Sequence, residues 1–310
     1  MKLGFLYAGQ GSQHPGMGAD LYETYPAFRA VFDQAQLDFD LKELCFTDPD
    51  GKLNQTRYTQ PSMVAFAAGL TAVLKEKGIV PDAVAGLSLG EYSALHAAGV
   101  FDAKTAVELA AFRGKAMEEA AAGVESAMVA VLGLDREKVR EACEEASKLG
   151  VVVAANYNCP GQIVIGGEKA AVEEAARLAK EAGARRCLPL KVSGPFHTPL
   201  MAPAGEALRT YFEGIEFAQP GVDVIFNCLG GLRANESIPQ LLVRQVQSSV
   251  YMEDSIRCMA RMVDAMVEIG PGNALTGFVR KTVPQMPVYT VETVENVEKL
   301  VQELKKEAQS

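Results

Sequence analysis

The sequence predicts an α/β protein: a mostly parallel sheet covered by helices on both faces, with a smaller unit inserted into it. Three observations carry this expectation. Apolar runs of strand length alternate with amphipathic helical periods over residues 1–123 and again over 192–310. Between about Gly123 and Lys191 the order changes to β-α-β-β-α-β, the ferredoxin-like arrangement. The chain has 310 residues and 48% hydrophobic content, enough to bury one large core or two unequal ones. The expected partition is a discontinuous large domain, 1–123 with 192–310, around a small domain at 124–191.

Composition narrows the function classes. A formal net charge of -9 argues against nucleic acid or an anionic membrane as the main partner, because both attract a positive surface. The opening apolar run LGFLYAG is too short for a signal-peptide core, and no apolar run reaches membrane-spanning length, so a cytoplasmic location is expected. Cys45, Cys143, Cys159, Cys187, Cys228 and Cys258 are scattered with no C-x-x-C pair. That spacing fits reduced thiols buried by packing and gives no disulfide framework or zinc site. No metal or redox cofactor is expected.

In chain order, Leu3–Ala8 reads as the first strand, followed by the loop GQGSQHPGMG from Gly9 to Gly18 and a helix from about Ala19. The loop is not a nucleotide fingerprint, since His14 stands where a third glycine belongs and no G-K-[ST] follows. Its glycines still let main-chain N–H groups approach an oxyanion, and Gln10 is best placed to do so. DPDG marks a turn within Asp48–Asn54, and Pro61 reads as the start of a core helix that stops at Gly78.

Ala83–Leu87 is then a short buried strand, and from Leu89 the apolar positions recur at helical spacing. Ser88 falls at the corner, flanked by Gly86 and Gly90 as G-x-S-x-G, the pattern of a strained elbow that presents a serine hydroxyl. In isolation, a glycine-flanked turn with a serine helix cap is the simpler reading. Asp102 caps the long helix AKTAVELAAFRGKAMEEAA, on which Ala106, Leu109, Ala110, Arg113, Ala116 and Met117 share one face. Arg113 thus interrupts an apolar stripe. A guanidinium there needs an internal acid, an escape to the margin, or a bound carboxylate held by two parallel hydrogen bonds.

The inserted unit reads as SAMVAVLGL, REKVREACEEASKLG, VVVAANYN, GQIVIGG, EKAAVEEAARLAKEAG and ARRCLPLKV. It holds no candidate nucleophile or ligand cluster, and its expected role is one wall of a cleft. SGPFHTPLM follows, with Thr198 a candidate cap and Pro199 suited to a first turn. His197 then precedes a helix N-terminus, whose positive end favours the neutral ring a general base needs. The other histidines have weaker claims: His14 has no obvious orienting group in the sequence, and His96 faces away from Ser88. Pro239 begins a helix containing Gln245, another helix covers Ser255 to Met262, and the strand VDAMVEIG turns through Gly270, Pro271 and Gly272 into NALTGFVRK. The strand PVYTV and a helix from Glu295 close the chain.

Acyl transfer through a serine needs a nucleophile, a base and an oxyanion hole. Ser88 and His197 supply the first two, and the main-chain N–H groups of Gln10 and Leu89 the third; no acidic third member is evident. The set GQGSQ, GLSLGEYSAL, FRGKAM, NYNCPGQIVIGG, GPFHTPLM, LVRQ and EIGPGNALTG, in this order, resembles the malonyl-CoA:acyl carrier protein transacylases of fatty acid synthesis and the related acyltransferase domains of polyketide synthases. The resemblance covers nearly the whole chain.

It implies an α/β-hydrolase-like large domain and a ping-pong transfer of malonyl from coenzyme A to a serine, then to the phosphopantetheine thiol of an acyl carrier protein. The implied roles are Ser88 as nucleophile, His197 as base, and Gln245 as the residue whose carbonyl oxygen orients the histidine in place of an acid. Gln10 and Leu89 match the oxyanion donors and Arg113 the clamp on the malonyl carboxylate. Malonyl-CoA and acyl carrier protein are the implied partners, and no cofactor is implied, coenzyme A thioester being a substrate. The chain departs from the family at Leu87, where histidine is usual, which bears on the pocket wall, rate or acyl preference. Arg185, Arg186, Lys191, Arg280 and Lys281 are candidates for a basic rim that docks the carrier. Three alternatives stand beside this reading: an acyltransferase serving a polyketide or malonate-decarboxylase carrier, a serine thioesterase or esterase using water, and a carrier-binding or scaffold protein whose site has decayed, which the retained polar residues disfavour. Arg113 favours a carboxylated acyl group over a general esterase.

Overall fold

Short runs of buried apolar residues build the strands that lie nearest the serine. The computed structural model describes residues 1–307, and it divides into two units. The first comprises Met1–Gly114, Glu216–Phe226 and the chain from Ile256 onward. Its strands Leu3–Tyr7, Ala83–Gly86 and Ala265–Ile269 are buried at every position, as strands covered on both faces must be. Val288–Val291, Ala265–Ile269, Leu3–Tyr7, Ala83–Gly86 and Asp223–Phe226 are neighbours in that order, and every pairing among them is parallel. The expected α/β architecture with a parallel sheet is therefore present.

The register decides what emerges where. Tyr7 pairs with Gly86, so the loop after Tyr7 and the turn after Gly86 leave the same end of adjacent strands. That carboxyl end is where open α/β sheets place ligands. The Gly9–Gly18 loop and Ser88 start side by side for this reason.

Helix Thr56–Glu76 corrects one expectation: Pro61 lies inside it, beyond the first turn, and does not open it. An internal proline forgoes one hydrogen bond and crowds the carbonyl four residues back, at about 3 kcal/mol. The same helix buries Met63, Val64, Phe66, Leu70 and Leu74, each worth about 1.5–3 kcal/mol. Burial outweighs the proline. Helix Ala103–Ala121 matches its expected span, with Asp102 Oδ1 accepting the Thr105 N–H at 2.7 Å.

The second unit comprises Lys115–Ile215 and Asn227–Ser255. Strand Ser126–Leu132, helix Arg136–Ala146, strands Val152–Cys159 and Gln162–Glu168, helix Lys169–Glu181 and strand Arg186–Pro189 follow in the expected order. Their sheet runs Arg186–Pro189, Ser126–Leu132, Gln162–Glu168, Val152–Cys159, with antiparallel neighbours. Val131, Val139, Ile165, Val172 and Ala175 fill its core. The unit reaches past residues 124–191 because Val250–Tyr251 adds a parallel strand beside Val152–Cys159. Ser249 Oγ also donates to the Ala154 carbonyl at 2.8 Å, and Arg136 Nη2 to Asp254 Oδ2 at 2.7 Å. The helix expected from Ser255 instead spans Met252–Met259. All six cysteines are free thiols, four of them buried. Among the described residues no helix is long and apolar enough to cross a membrane.

Candidate active site

Ser88 occupies the turn between strand Ala83–Gly86 and helix Gly90–Ala97 with φ of 54°. A left-handed backbone costs a non-glycine residue on the order of 1–3 kcal/mol, so its surroundings must hold it there. A Cβ on Gly86 would sit 2.0 Å from the Gly90 carbonyl carbon, and one on Gly90 would sit 2.3 Å from the Tyr7 carbonyl oxygen. Only glycine at both positions lets strand, turn and helix close so tightly. Leu87 N–H donates to the Tyr7 carbonyl and Gly90 N–H to the Leu87 carbonyl, each at 2.9 Å. The following helix takes Leu89, not Ser88, as its N-cap and has no side-chain cap. The serine is thus not a cap: its Oγ accepts a hydrogen bond from Arg113 Nη2 at 3.2 Å.

Arg113 is 1% exposed. Its Nη1 donates to Gln60 Oε1 at 2.8 Å, and its guanidinium lies 5.5 Å from the Tyr92 ring centroid. Burial draws its proton affinity below the ordinary guanidinium value, while Tyr92 and Glu91 act the other way; arginine remains charged regardless. The next residue explains the placement. A Cβ on Gly114 would lie 2.8 Å from the Thr56 carbonyl oxygen and 2.9 Å from Arg57 Cα, so the bare glycine lets this helix approach the segment that carries Gln60. One guanidinium nitrogen rests on the serine oxygen while the other is fixed by a neutral amide, an arrangement suited to a carboxylate borne by an acyl group on that serine.

Gln10 uses its side chain structurally, Nε2 donating to Thr56 Oγ1 at 3.0 Å. Among the described residues, neither its main-chain N–H nor that of Leu89 donates to a main-chain carbonyl in the turns and loops. A Cβ on Gly9 would sit 2.6 Å from the Leu87 carbonyl oxygen, so the loop lies directly against the elbow. Leu87, at the position of the family histidine, supplies these elbow contacts through its main chain.

In the second unit His197 is 3% exposed, with φ of 60°. Its Nδ1 lies 2.9 Å from the main-chain carbonyl oxygen of Gln245. A carbonyl only accepts, so Nδ1 carries the hydrogen and a neutral ring leaves its lone pair on Nε2. Gln245 ends helix Ile238–Gln245, which Ser237 and Gln240 open with a capping box. Carbonyls in a last helical turn lack intrahelical partners, and the negative helix end favours an imidazolium as it forms. The expected cap at Thr198 is corrected: its hydroxyl donates back to the Pro195 carbonyl at 2.7 Å. A three-residue 3₁₀ turn, Pro199–Met201, follows without a side-chain cap. The left-handed backbone at His197 redirects the chain there.

The site residues read from sequence therefore fall into two groups. Ser88, Arg113, Gln10 and Leu89 belong to the first unit, and His197 with Gln245 to the second. Gln60, Thr56 and Tyr92 support the first group and were not singled out by sequence. Gln60 precedes Pro61 and reads as a polar residue at a helix entry, while Tyr92 reads as one more apolar position on the elbow helix. Of the other histidines, His96 is held at Nδ1 by the Phe101 carbonyl at 3.0 Å, and burial lowers its proton affinity. His14 has an orienting group after all, Glu292, at 2.6 Å.

Comparison with known proteins gives a consistent picture. The family described as the acyl transferase domain matches residues 4–310. A malonyl CoA-acyl carrier protein transacylase of Bacillus subtilis is 42% identical over 311 aligned residues, covering 99% of this chain and 98% of that one. The crystal structure of MCAT from Streptococcus pneumoniae superposes with a TM-score of 0.93 at 46% identity, covering 97% of this chain and 100% of that one. A type II PKS acyl-carrier protein in complex with its malonyl-transacylase gives a TM-score of 0.93 at 39% identity, covering 98% of this chain and 100% of that one.

Proposed function

The chain belongs to the acyl transferase domain family, and we propose that it moves a malonyl group from malonyl-CoA to the phosphopantetheine thiol of an acyl carrier protein, supplying extender units for fatty acid synthesis. Ser88 Oγ attacks the thioester carbonyl while His197 Nε2 takes the hydroxyl proton. The N–H groups of Gln10 and Leu89 hold the oxyanion. Collapse breaks the carbon–sulfur bond, and the imidazolium returns the proton to the departing coenzyme A thiolate. In the second half the carrier thiol gives its proton to His197 and attacks the acyl-serine, and Ser88 recovers the proton as it leaves. Atoms balance over the two halves with no water and no cofactor consumed. Arg113 binds the malonyl carboxylate throughout.

The observation that carries this reading is the Arg113 Nη2 to Ser88 Oγ bond. It sets a buried cation beside the atom that would bear the acyl group, where an ester of a simple fatty acid has nothing to offer it. The relatives named as malonyl CoA-acyl carrier protein transacylase support the donor, and the carrier complex supports the acceptor.

The same reading takes the first unit as α/β-hydrolase-like and the 124–191 segment as ferredoxin-like. The strand order within that segment, fourth, first, third, second, supports the latter. It also carries a cytoplasmic location. The test is to load the protein with labelled malonyl-CoA and then add holo carrier protein. Label should appear on Ser88 and move to the carrier thiol. Release of free malonate at the same rate with and without carrier would make the protein a hydrolase.

A further inference from the structure

We propose that His14 and Glu292 are positioning residues for acylation: while His14 is an imidazolium, they hold the loop carrying the Gln10 N–H against the Gly270–Gly272 turn. The inference rests on the oxyanion role given to Gln10 above.

One carboxylate makes the tie. Glu292 Oε1 takes His14 Nε2 at 2.6 Å, and Glu292 Oε2 accepts the Gly272 N–H at 2.9 Å. Loop and turn already touch on both sides of Gln10, since a Cβ on Gly270 would lie 2.4 Å from Ala8 Cβ and one on Gly272 would lie 3.2 Å from Ser12 Cβ. Both ends of the tie are anchored. Glu292 N–H donates to Asn296 Oδ1 at 3.2 Å, and Glu268 accepts the Leu275 and Thr276 N–H groups beyond the turn at 3.0 and 2.7 Å. On its far side the loop is held by Gln13 Nε2 to Asn54 Oδ1 at 2.8 Å.

His14 decides when the tie is complete. Its Nδ1 lies 3.1 Å from the Pro15 carbonyl oxygen, so both ring nitrogens face atoms that only accept. The ring makes both bonds only with a hydrogen on each nitrogen. Further acids stand by Glu292: Glu268 interacts with it electrostatically, and Asp20 accepts the Val294 N–H at 2.8 Å. The hydrogen bond that His14 donates to Glu292 raises its proton affinity above the ordinary value. The ion pair is therefore fully formed below about pH 6.5, the unfolded value, and weakens to a neutral Nε2–H bond as pH rises through the raised one. His197 contributes in the opposite sense, because the base must be neutral and acylation rises with pH through its titration.

His14 is half exposed, with 51% of its side-chain surface open. An exposed pair carries about 0–1 kcal/mol, which limits the effect to about fivefold in rate. The experiment measures single-turnover acylation of the whole protein by malonyl-CoA across pH, alongside NMR titration of the His14 ring. The wild-type rate should fall by up to about fivefold on the alkaline side, in step with that ring. His14→Arg should keep the rise that the neutral His197 ring gives and lose the alkaline fall, His14→Gln should show the same rise at a rate lower by up to about fivefold throughout, and Glu292→Gln should lower the His14 midpoint. Wild-type pH profiles in both His14 variants, or one pH-independent loss in all variants, would overturn the proposal. If Ser88→Ala still took up malonyl, the reading beneath it would fail instead; intact Ser88 loading with unmoved profiles rejects the His14–Glu292 role alone.

Discussion

Replacing Arg113 by methionine separates a clamp on the substrate from a structural cation. Methionine keeps much of the buried stem's volume and removes the charge that lies on Ser88 Oγ and Gln60 Oε1. If the guanidinium binds the malonyl carboxylate, the variant leaves that carboxylate unpaired in a water-poor site. Losing one partner of such a pair costs about 2–5 kcal/mol, or about 30-fold to several thousand-fold in kcat/KM for malonyl-CoA. The substitution also strips a donor from buried Gln60, about 1–3 kcal/mol of stability, but that loss is common to every donor. Acetyl-CoA carries no carboxylate and serves as the internal control. Quenched-flow acylation with both thioesters should show a malonyl-to-acetyl preference reduced by at least about 30-fold. An equal loss for both would mean that Arg113 only braces the elbow.

Other substitutions probe the remaining parts. His197→Ala should slow acylation by roughly 10²–10⁴, the span for losing a general base. Gln245→Ala should cost far less, because the atom facing His197 Nδ1 belongs to the main chain; comparable losses would assign the orienting role to the side chain. Gly90→Ala forces a Cβ toward the Tyr7 carbonyl, and thermal unfolding should register a destabilisation of about 1–3 kcal/mol as overpacking does, whereas an unchanged Tm would contradict the tight elbow. Reversing exposed Arg185, Arg186 and Lys191 to glutamate should raise KM for carrier protein and spare acylation by malonyl-CoA; equal effects on both half-reactions would reject that docking surface.

What the sequence disclosed was local. Helix Ala103–Ala121 is legible from Asp102 as cap and a stripe broken only by Arg113. The inserted unit is legible because its helices Arg136–Ala146 and Lys169–Glu181 each bury one apolar stripe, although strand Val152–Cys159 shifts register at Ala154/Asn156 and Tyr157/Cys159. Pro61 misleads, since a local rule for proline says nothing of how much apolar surface the helix buries. Strand Val250–Tyr251 is two residues long and has no period to read; pairing with Val152–Cys159 makes it a strand. At the site, Ser88 and His197 carry recognisable patterns around them, but Gln60 acquires its role only when Gly114 brings two helices together. His14 and Glu292 stand 278 residues apart, joined by parallel strands that no spacing rule relates.

Whether an acyl group ever resides on the elbow hydroxyl is the question on which all the assigned roles turn. Intact mass followed by peptide mapping, after brief exposure to malonyl-CoA, answers it directly. One malonyl group should be found on the peptide containing Ser88, absent from Ser88→Ala and discharged on addition of holo carrier protein. The same mass gain in Ser88→Ala, or a malonyl group mapped to another residue, would contradict it.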